Sequence, residues 1–272
     1  LVHDDIIDND SFRRGEPSSH VKLANFAKKN LNCKNQLSEK FGRDMAMLVG
    51  DLQQAWALRM LLKSAEHRLV CSDLCVYLAI RMEELAGKDL ICGETLDSYT
   101  SLRDVSKISF DEAFEISRLK TGAILRFCAE AGALIALGSS SFATDERVKK
   151  ISEFAEKSGI AFQLKDDWLG IYGNEDKLGK PVASDISENK ATPLLIEILT
   201  RCEKKEKTFI SNLLGKNKIS SSEIEKIRKI TRNSGAEEKI FKKVSEFGST
   251  ALKIIGEFPK NKYRALLEEW TK

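Results

Sequence analysis

Proline is scarce in this chain: four residues in 272, alongside sixteen glycines. With few breakers, and with Leu, Ala, Lys, Glu and Ile dominant, the sequence reads as mostly helical with short connections. No alternating apolar and polar run marks a strand, and no repeat is present. No stretch of about 18 uncharged apolar residues exists, so nothing is expected to span a membrane. The most apolar run, Ala123 to Gly138, is broken by Arg126 and Glu130. His3, His20 and His67 are scattered, and the six cysteines (Cys33, Cys71, Cys75, Cys92, Cys128, Cys202) contain no Cys-x-x-Cys pair. A zinc site lacks its ligands. Buried, reduced thiols in a cytoplasmic protein are expected instead.

Charge of one sign is also missing overall, with a net of +3, but its distribution is uneven. Residues 201–272 carry 18 Lys and Arg against 10 Asp and Glu, a net of +8, which leaves −5 for residues 1–200. In the basic part acids are interspersed and aromatics are few. It therefore reads as the solvated side of amphipathic helices rather than a surface for nucleic acid or anionic lipid. A hydrophobic share of 42% suffices for a large core, and the length fits one large domain or two ordinary ones. The chain opens on Leu1 in mid-helix and is expected to be a fragment lacking N-terminal helices.

What the chain does have is carboxylates in pairs. Asp4, Asp5 and Asp8 form Asp-Asp-x-x-Asp, and Asp166 and Asp167 follow Phe162-Gln163. On a helix Asp4 and Asp8 share one face, and Asp5 flanks it. Carboxylates stacked so closely repel unless a cation lies between them. Hard oxygen donors without Cys or His suit Mg²⁺, which binds through a few carboxylates and its substrate's phosphates. Apolar neighbours (Leu1, Val2, Ile6 and Ile7; Leu164, Trp168 and Leu169) turn both helices toward a core. The reading is an enzyme that holds a diphosphate between two acidic helices.

Along the chain, Asn9 to Pro17 reads as a loop. Its Arg13-Arg14 pair is either a solvated turn or a guanidinium clamp for a metal-held diphosphate. A helix is expected from about Ser19, then a polar insertion from Lys28 to Lys40, then a helix from about Phe41 to Ala65. In that helix Met45, Leu48, Leu52, Ala55, Trp56 and Met60 should form core or a subunit interface. A further helix covers about Asp73 to Leu90, where Glu83 and Glu84 should be solvated or paired. Ser109 and Glu112 have capping-box spacing, and that helix reaches Lys120-Thr121-Gly122, which alone reads as an ordinary helix end. Thr144 is expected to cap the helix that bears Gln163, Asp166, Asp167 and Gly170 on one stripe and runs to about Tyr172. A loop from Gly173 to Asn189 follows. Thr192-Pro193 should then start a helix, followed by about four more, one opened by Ser220-x-x-Glu223.

In this order the motifs resemble those of the trans-isoprenyl diphosphate synthases, the farnesyl and geranylgeranyl diphosphate synthase family. The matching set is Asp4-Asp5-x-x-Asp8, Arg13-Arg14-Gly15, Lys120-Thr121, Phe162-Gln163-x-x-Asp166-Asp167, Gly179-Lys180-Pro181, Ser184-Asp185-Ile186 and Asn189-Lys190. The resemblance implies an all-α isoprenoid synthase fold, an antiparallel helix bundle around a deep central cavity, in a homodimer. It implies about three Mg²⁺ ions held by Asp4, Asp8 and Asp166, with Asp5 and Asp167 close behind. Arg13, Lys120 and Lys180, helped by Thr121, Gln163 and Lys190, would hold the allylic diphosphate, and Arg14 would hold isopentenyl diphosphate. Phe162 belongs to the same substrate-binding motif.

Gly170 stands where the second motif often carries a third Asp. Gly170→Asp is therefore expected to change activity little, and to stabilise the helix by a few tenths to about 1 kcal/mol. Only Ile6 and Ile7 separate Asp5 from Asp8, so the two-residue insertion of some short-chain synthases is absent. By resemblance the product is about C20 or longer, geranylgeranyl diphosphate first, since a pocket selects by filled volume. Two other readings compete. A terpene cyclase would carry Asn, Ser/Thr and Glu at its second metal site rather than an Asp pair. A non-catalytic partner subunit would tend to lose acids from the first motif, which is whole here.

Overall fold

The computed structural model describes residues 1–174, 181–216 and 218–271. Helix α1 (Val2–Ile7) leads through a two-stranded antiparallel hairpin, Phe12–Arg13 with Glu16–Pro17, into α2 (Ser19–Asn30) and the long α3 (Asn35–Glu66). The hairpin corrects the reading of Asn9 to Pro17 as a loop without strand. Two-residue strands are too short to alternate, and the signal lay in the turn. Arg14 (φ 56) and Gly15 (φ 78) are both left-handed, as the tight turn between twisted strands demands. The supposed insertion from Lys28 to Lys40 is also absent, since α2 runs to Asn30 and α3 starts at Asn35. Apart from the buried Ser38, its polar residues are half-buried or exposed and belong to the ends of two helices and the short link between them.

Helix α4 (Ser72–Glu84) continues through a π-turn, Leu85–Ile91, into α5 (Cys92–Ser101). A second π-turn, Arg118–Gly122, joins α6 (Phe110–Ser117) to α7 (Ala123–Leu137). Lys120-Thr121-Gly122 is thus a widened turn in mid-helix rather than a helix end. Helix α8 (Glu146–Tyr172) is capped by Asp145, whose side chain accepts from the Arg147 amide, not by Thr144. After it come α9 (Ser184–Ser187), α10 (Pro193–Arg201), α11 (Lys204–Ser211), α12 (Ser221–Asn233), α13 (Ala236–Gly256) and α14 (Lys262–Thr271). The capping boxes at Ser109 and Ser220 form as expected, and Thr192 caps α10 with Pro193 at its first position.

Helix α8 is the central element, packed along α7 and α13. The largest apolar cluster gathers Ile160, Leu164 and Ile171 of α8 with Leu194, Leu195 and Ile198 of α10 and Ile227, Ile230 and Ile240 of α12 and α13. The charges that break the apolar run of α7 are paired across helices. Arg81 of α4 donates to both oxygens of Glu130 at 3.0 and 3.1 Å, and Arg126 donates to Asp89 at 3.0 Å. Glu84 pairs with Arg81 and Lys88, and Glu83 accepts from Gln54.

One burial expectation fails and another narrows. Of the six free thiols only Cys75 is buried, while Cys71, Cys92 and Cys128 are exposed. Leu48, Leu52, Trp56 and Met60 of α3 are 58, 45, 54 and 73% exposed, so within one chain that stripe is an open apolar face and not core, which leaves the subunit-interface alternative. No described helix is long and apolar enough to cross a membrane.

Candidate active site

The first acidic motif is built on α1 and sorted by burial. Asp5 is 3% exposed, whereas Asp4 and Asp8 are half-buried and open to one side. Three cations from three other elements converge on it. The hairpin turns Arg13 back so that its Nε donates to Asp5 Oδ1 at 2.6 Å and its Nη2 to Asp4 Oδ2 at 3.0 Å, with Asp10 at 3.3 Å. The π-turn carries Lys120, whose Nζ lies 3.3 Å from Asp4 Oδ1, 2.6 Å from Glu94 and 2.7 Å from Asp97. Lys190 Nζ lies 2.6 Å from Asp8 Oδ2 and 3.0 Å from Glu188.

The π-turn also connects the two acidic helices, because its adjacent residues face opposite ways. Lys120 reaches Asp4, while the Thr121 hydroxyl donates to Gln163 Oε1 at 2.7 Å and Gln163 Nε2 donates to Asp167 Oδ1 at 3.0 Å. Asp167 is buried and Asp166 half-exposed, repeating the division between Asp5 and Asp4. The far end of α8 is fixed by Arg228, which donates to the Ile171 carbonyl at 2.9 Å, and by Glu237, which accepts from Trp168 Nε1 at 2.9 Å.

The sequence therefore names most of what meets here: Asp4, Asp5, Arg13 and Lys120 in one ion-paired group, Asp8 and Lys190 in a second that feels its charge, and Thr121, Gln163 and Asp167 in one hydrogen-bonded chain. Arg14 is exposed at the hairpin turn and Phe162 is 56% exposed. Lys180, with Gly179, lies outside the described residues. Sequence reasoning missed Asp10, Glu94, Asp97 and Glu188, all partners of the three cations. Glu94 and Asp97 share a helix face at i and i+3, a signal that was there to use.

Charge explains the protonation behaviour. Burial would raise Asp4, but Lys120, Lys190 and Arg13 outweigh it and hold the carboxyl below its ordinary value. Burial raises Asp8 and Glu94 despite their lysine partners. For Lys120 and Lys190 burial opposes the charge, yet the surrounding carboxylates, Asp97 and Asp4 for one and Asp8 and Glu188 for the other, hold both ammonium groups above the ordinary lysine value.

Glu188 is pushed up to about 7, by burial first, with Lys190 opposing. A carboxyl raised on folding contributes its stability in full below its unfolded value and loses it as pH climbs through about 7. Glu188→Gln should accordingly flatten the fall in thermal midpoint between pH 5 and pH 8, a comparison scanning calorimetry makes directly.

The donor set fits Mg²⁺. Seven ion-paired carboxylates (Asp4, Asp5, Asp8, Asp10, Glu94, Asp97, Glu188) face three cations, all hard oxygens with a surplus of negative charge. Among the described residues, no three His, Cys, Asp or Glu are already gathered in metal-ligand geometry.

Gly170 departs from expectation. A Cβ there would stand 3.1 Å from Asp185 Oδ2, at a buried position. Gly170→Asp would press one carboxylate against another, so a net loss of stability replaces the expected gain, by about 1–3 kcal/mol. Equal or higher stability in chemical denaturation would contradict this.

The chain matches the Polyprenyl synthetase family over residues 1–231. It belongs to the polyprenyl synthetases. It is 33% identical over 236 residues to the geranylgeranyl diphosphate synthase of Saccharolobus solfataricus, covering 85% of this chain and 61% of that protein. It is 34% identical over 208 residues to the farnesyl diphosphate synthase of Geobacillus stearothermophilus, covering 75% and 61%. The chain thus spans about three-fifths of the length of these curated relatives. Among solved structures it superposes on a geranylgeranyl pyrophosphate synthase from Corynebacterium glutamicum, determined with isoprenyl diphosphate and magnesium. That match has a TM-score of 0.86 at 29% identity and covers 100% of this chain and 73% of that one. This polyprenyl synthetase has the all-α isoprenoid synthase fold expected from its motifs.

Proposed function

We propose that this polyprenyl synthetase is a Mg²⁺-dependent prenyltransferase that joins isopentenyl diphosphate to an allylic diphosphate and releases a longer trans-polyprenyl diphosphate. The observation that supports it most is the surplus of carboxylates around Asp4 and Asp8, linked through Lys120-Thr121 to Gln163 and Asp167 on α8. Asp4, Asp8 and Asp166 would hold Mg²⁺, with Asp5 and Asp167 behind them. Bound there, Mg²⁺ would draw charge from the departing diphosphate.

The chain's own groups do the rest. Lys120, Arg13 and Lys190 stand around the same carboxylates and supply positive charge where the allylic carbon–oxygen bond gives its electron pair to diphosphate. Lys180 and Arg14 complete the cationic set in this reading, Arg14 toward isopentenyl diphosphate. The double bond of isopentenyl diphosphate then attacks the allylic cation, and the proton it sheds passes to the diphosphate, so no side-chain base is needed. Thr121, through Gln163, fixes the orientation of the Asp167 carboxylate on α8. Phe162 is assigned to the allylic substrate.

The product is assigned as geranylgeranyl diphosphate, at about C20, on the uninterrupted Asp5-Ile6-Ile7-Asp8 spacing and on the relatives of that name. Feeding the protein isopentenyl diphosphate with dimethylallyl, geranyl or farnesyl diphosphate, and separating the products by chromatography, tests this. Elongated linear diphosphates ending near C20 are expected. A clean stop at C15 would overturn the length, and cyclised hydrocarbon would overturn the reaction.

We also propose that a second copy of the chain covers the open face of α3 and α4. A groove of about 570 Å³ lined by Leu58, Leu62, Val76, Ala79 and Ile80 adjoins exposed Trp56 and Met60 there. Trp56→Glu should convert a dimer to monomer in sedimentation velocity. A wild-type monomer would remove the proposal.

A further inference from the structure

Glu188 and Lys190 leave α9 through a Schellman turn. The Lys190 amide donates to Asp185 O at 2.8 Å and the Asn189 amide to Ile186 O at 3.1 Å, with Asn189 left-handed at φ 57. The Asn189 side chain ties this turn to the end of α5 by donating to the Ser101 carbonyl. Held in this way, the Lys190 ammonium touches two carboxylates from different elements, Asp8 at 2.6 Å and Glu188 at 3.0 Å. All three side chains are at most a quarter exposed, so water can replace little of either contact.

We infer that Glu188 is a positioning residue: it is a second seat for the Lys190 ammonium, which lets Asp8 exchange Lys190 for Mg²⁺ while the lysine stays at the site. The inference rests on the Mg²⁺–diphosphate reading above. An ammonium and a divalent cation on one carboxylate repel each other, so Mg²⁺ on Asp8 weakens the hold of Asp8 on Lys190. A buried ammonium that gives up its only carboxylate is left unpaired at high cost. Glu188 removes that cost.

Lysine suits the exchange, being a point charge on a flexible stem with rotatable donors rather than a fixed fork. Once off Asp8, it stands next to the diphosphate position with its charge intact. The same arrangement recurs independently at Asp4. Lys120 is 3.3 Å from Asp4 but 2.6 and 2.7 Å from Glu94 and Asp97, carboxylates of α5. Each metal-facing Asp of the first motif therefore shares its lysine with acids of another element.

A double-mutant cycle read by Mg²⁺ binding, without substrate, tests the inference. Mg²⁺ is titrated calorimetrically at pH 8 into wild type, Glu188→Gln, Lys190→Met and the double variant, each checked by circular dichroism. Glu188→Gln should weaken Mg²⁺ binding by about five-fold, because Asp8 is then the one carboxylate in direct contact with Lys190 among the described residues, Asp185 acting on it only from farther off, and Lys190→Met should tighten it by a similar factor. In the Lys190→Met background Glu188→Gln should change binding by less than about two-fold, since the effect of Glu188 passes through the lysine. Lys190→Gln provides the same background if Lys190→Met does not fold.

Simple loss of a nearby negative charge predicts instead that Glu188→Gln weakens binding equally in both backgrounds, and that additive result overturns the inference while leaving the Mg²⁺ site in place. A wild-type protein that takes up no Mg²⁺ in the absence of diphosphate also overturns the inference, which needs the exchange at Asp8 to occur without substrate, and leaves the Mg²⁺–diphosphate reading to its own test with a bound diphosphate.

Discussion

Asp4→Ala and Asp166→Ala are each expected to lower turnover by about three orders of magnitude while leaving the helical circular dichroism spectrum unchanged. Both residues are half-buried and lie outside the core, so removing either carboxylate takes away a proposed Mg²⁺ ligand without opening a core cavity. Asp5 provides the contrast. At 3% exposure and with the Arg13 guanidinium on it, Asp5→Ala would empty a buried position and leave Arg13 only Asp4 and Asp10, so it should cost stability as well as activity. A steady-state condensation assay with thermal melts on all three variants separates these outcomes. Near-normal turnover in Asp4→Ala or Asp166→Ala would remove that residue from the metal set.

Gly42→Ala should destabilise the protein, although in an ordinary helix it would stabilise by about 1 kcal/mol. Where α2 crosses α3, a Cβ on Gly42 would lie 2.3 Å from the His20 carbonyl oxygen and 2.8 Å from the Ala24 nitrogen. Both obstructing atoms are backbone, so no rotamer change relieves the clash and α2 itself must move. Overpacking of this kind typically costs about 1–3 kcal/mol, and a backbone obstacle places this site at the upper end. Urea unfolding of the variant should show a net loss of about 2 kcal/mol, and an unchanged midpoint would show that α2 moves freely.

Local rules of backbone chemistry were legible wherever one residue type does one job. Ser109, Ser220 and Thr192 start helices because a side-chain oxygen accepts an otherwise unpaired amide, and that needs no knowledge of the fold. Thr144 was misread because Asp145, one residue later, is an equally good cap and sits at the true start of α8. The carboxylate pairs were legible from their spacing, as were Arg13, Lys120 and Lys190 from the family order.

What the sequence could not display is which acids each cation meets. Lys120 finds Glu94 and Asp97 only because a π-turn rotates it toward α5, and Lys190 finds Glu188 only because Asn189 goes left-handed. Gly170 has the spacing of an open helix position, but Asp185, from another element, lies against it. The apolar stripe of α3 had the right period, but period does not tell a core from a face left open.

The claim that two acidic helices jointly hold a metal-bound diphosphate is tested most directly by calorimetric titration of a non-reacting allylic thiodiphosphate, with and without Mg²⁺. Wild type, Asp4→Asn and Asp166→Asn would be compared. The expected result is binding that requires Mg²⁺ and is lost alike in both variants. Tight binding without Mg²⁺, or binding abolished by Asp4→Asn and untouched by Asp166→Asn, would contradict it.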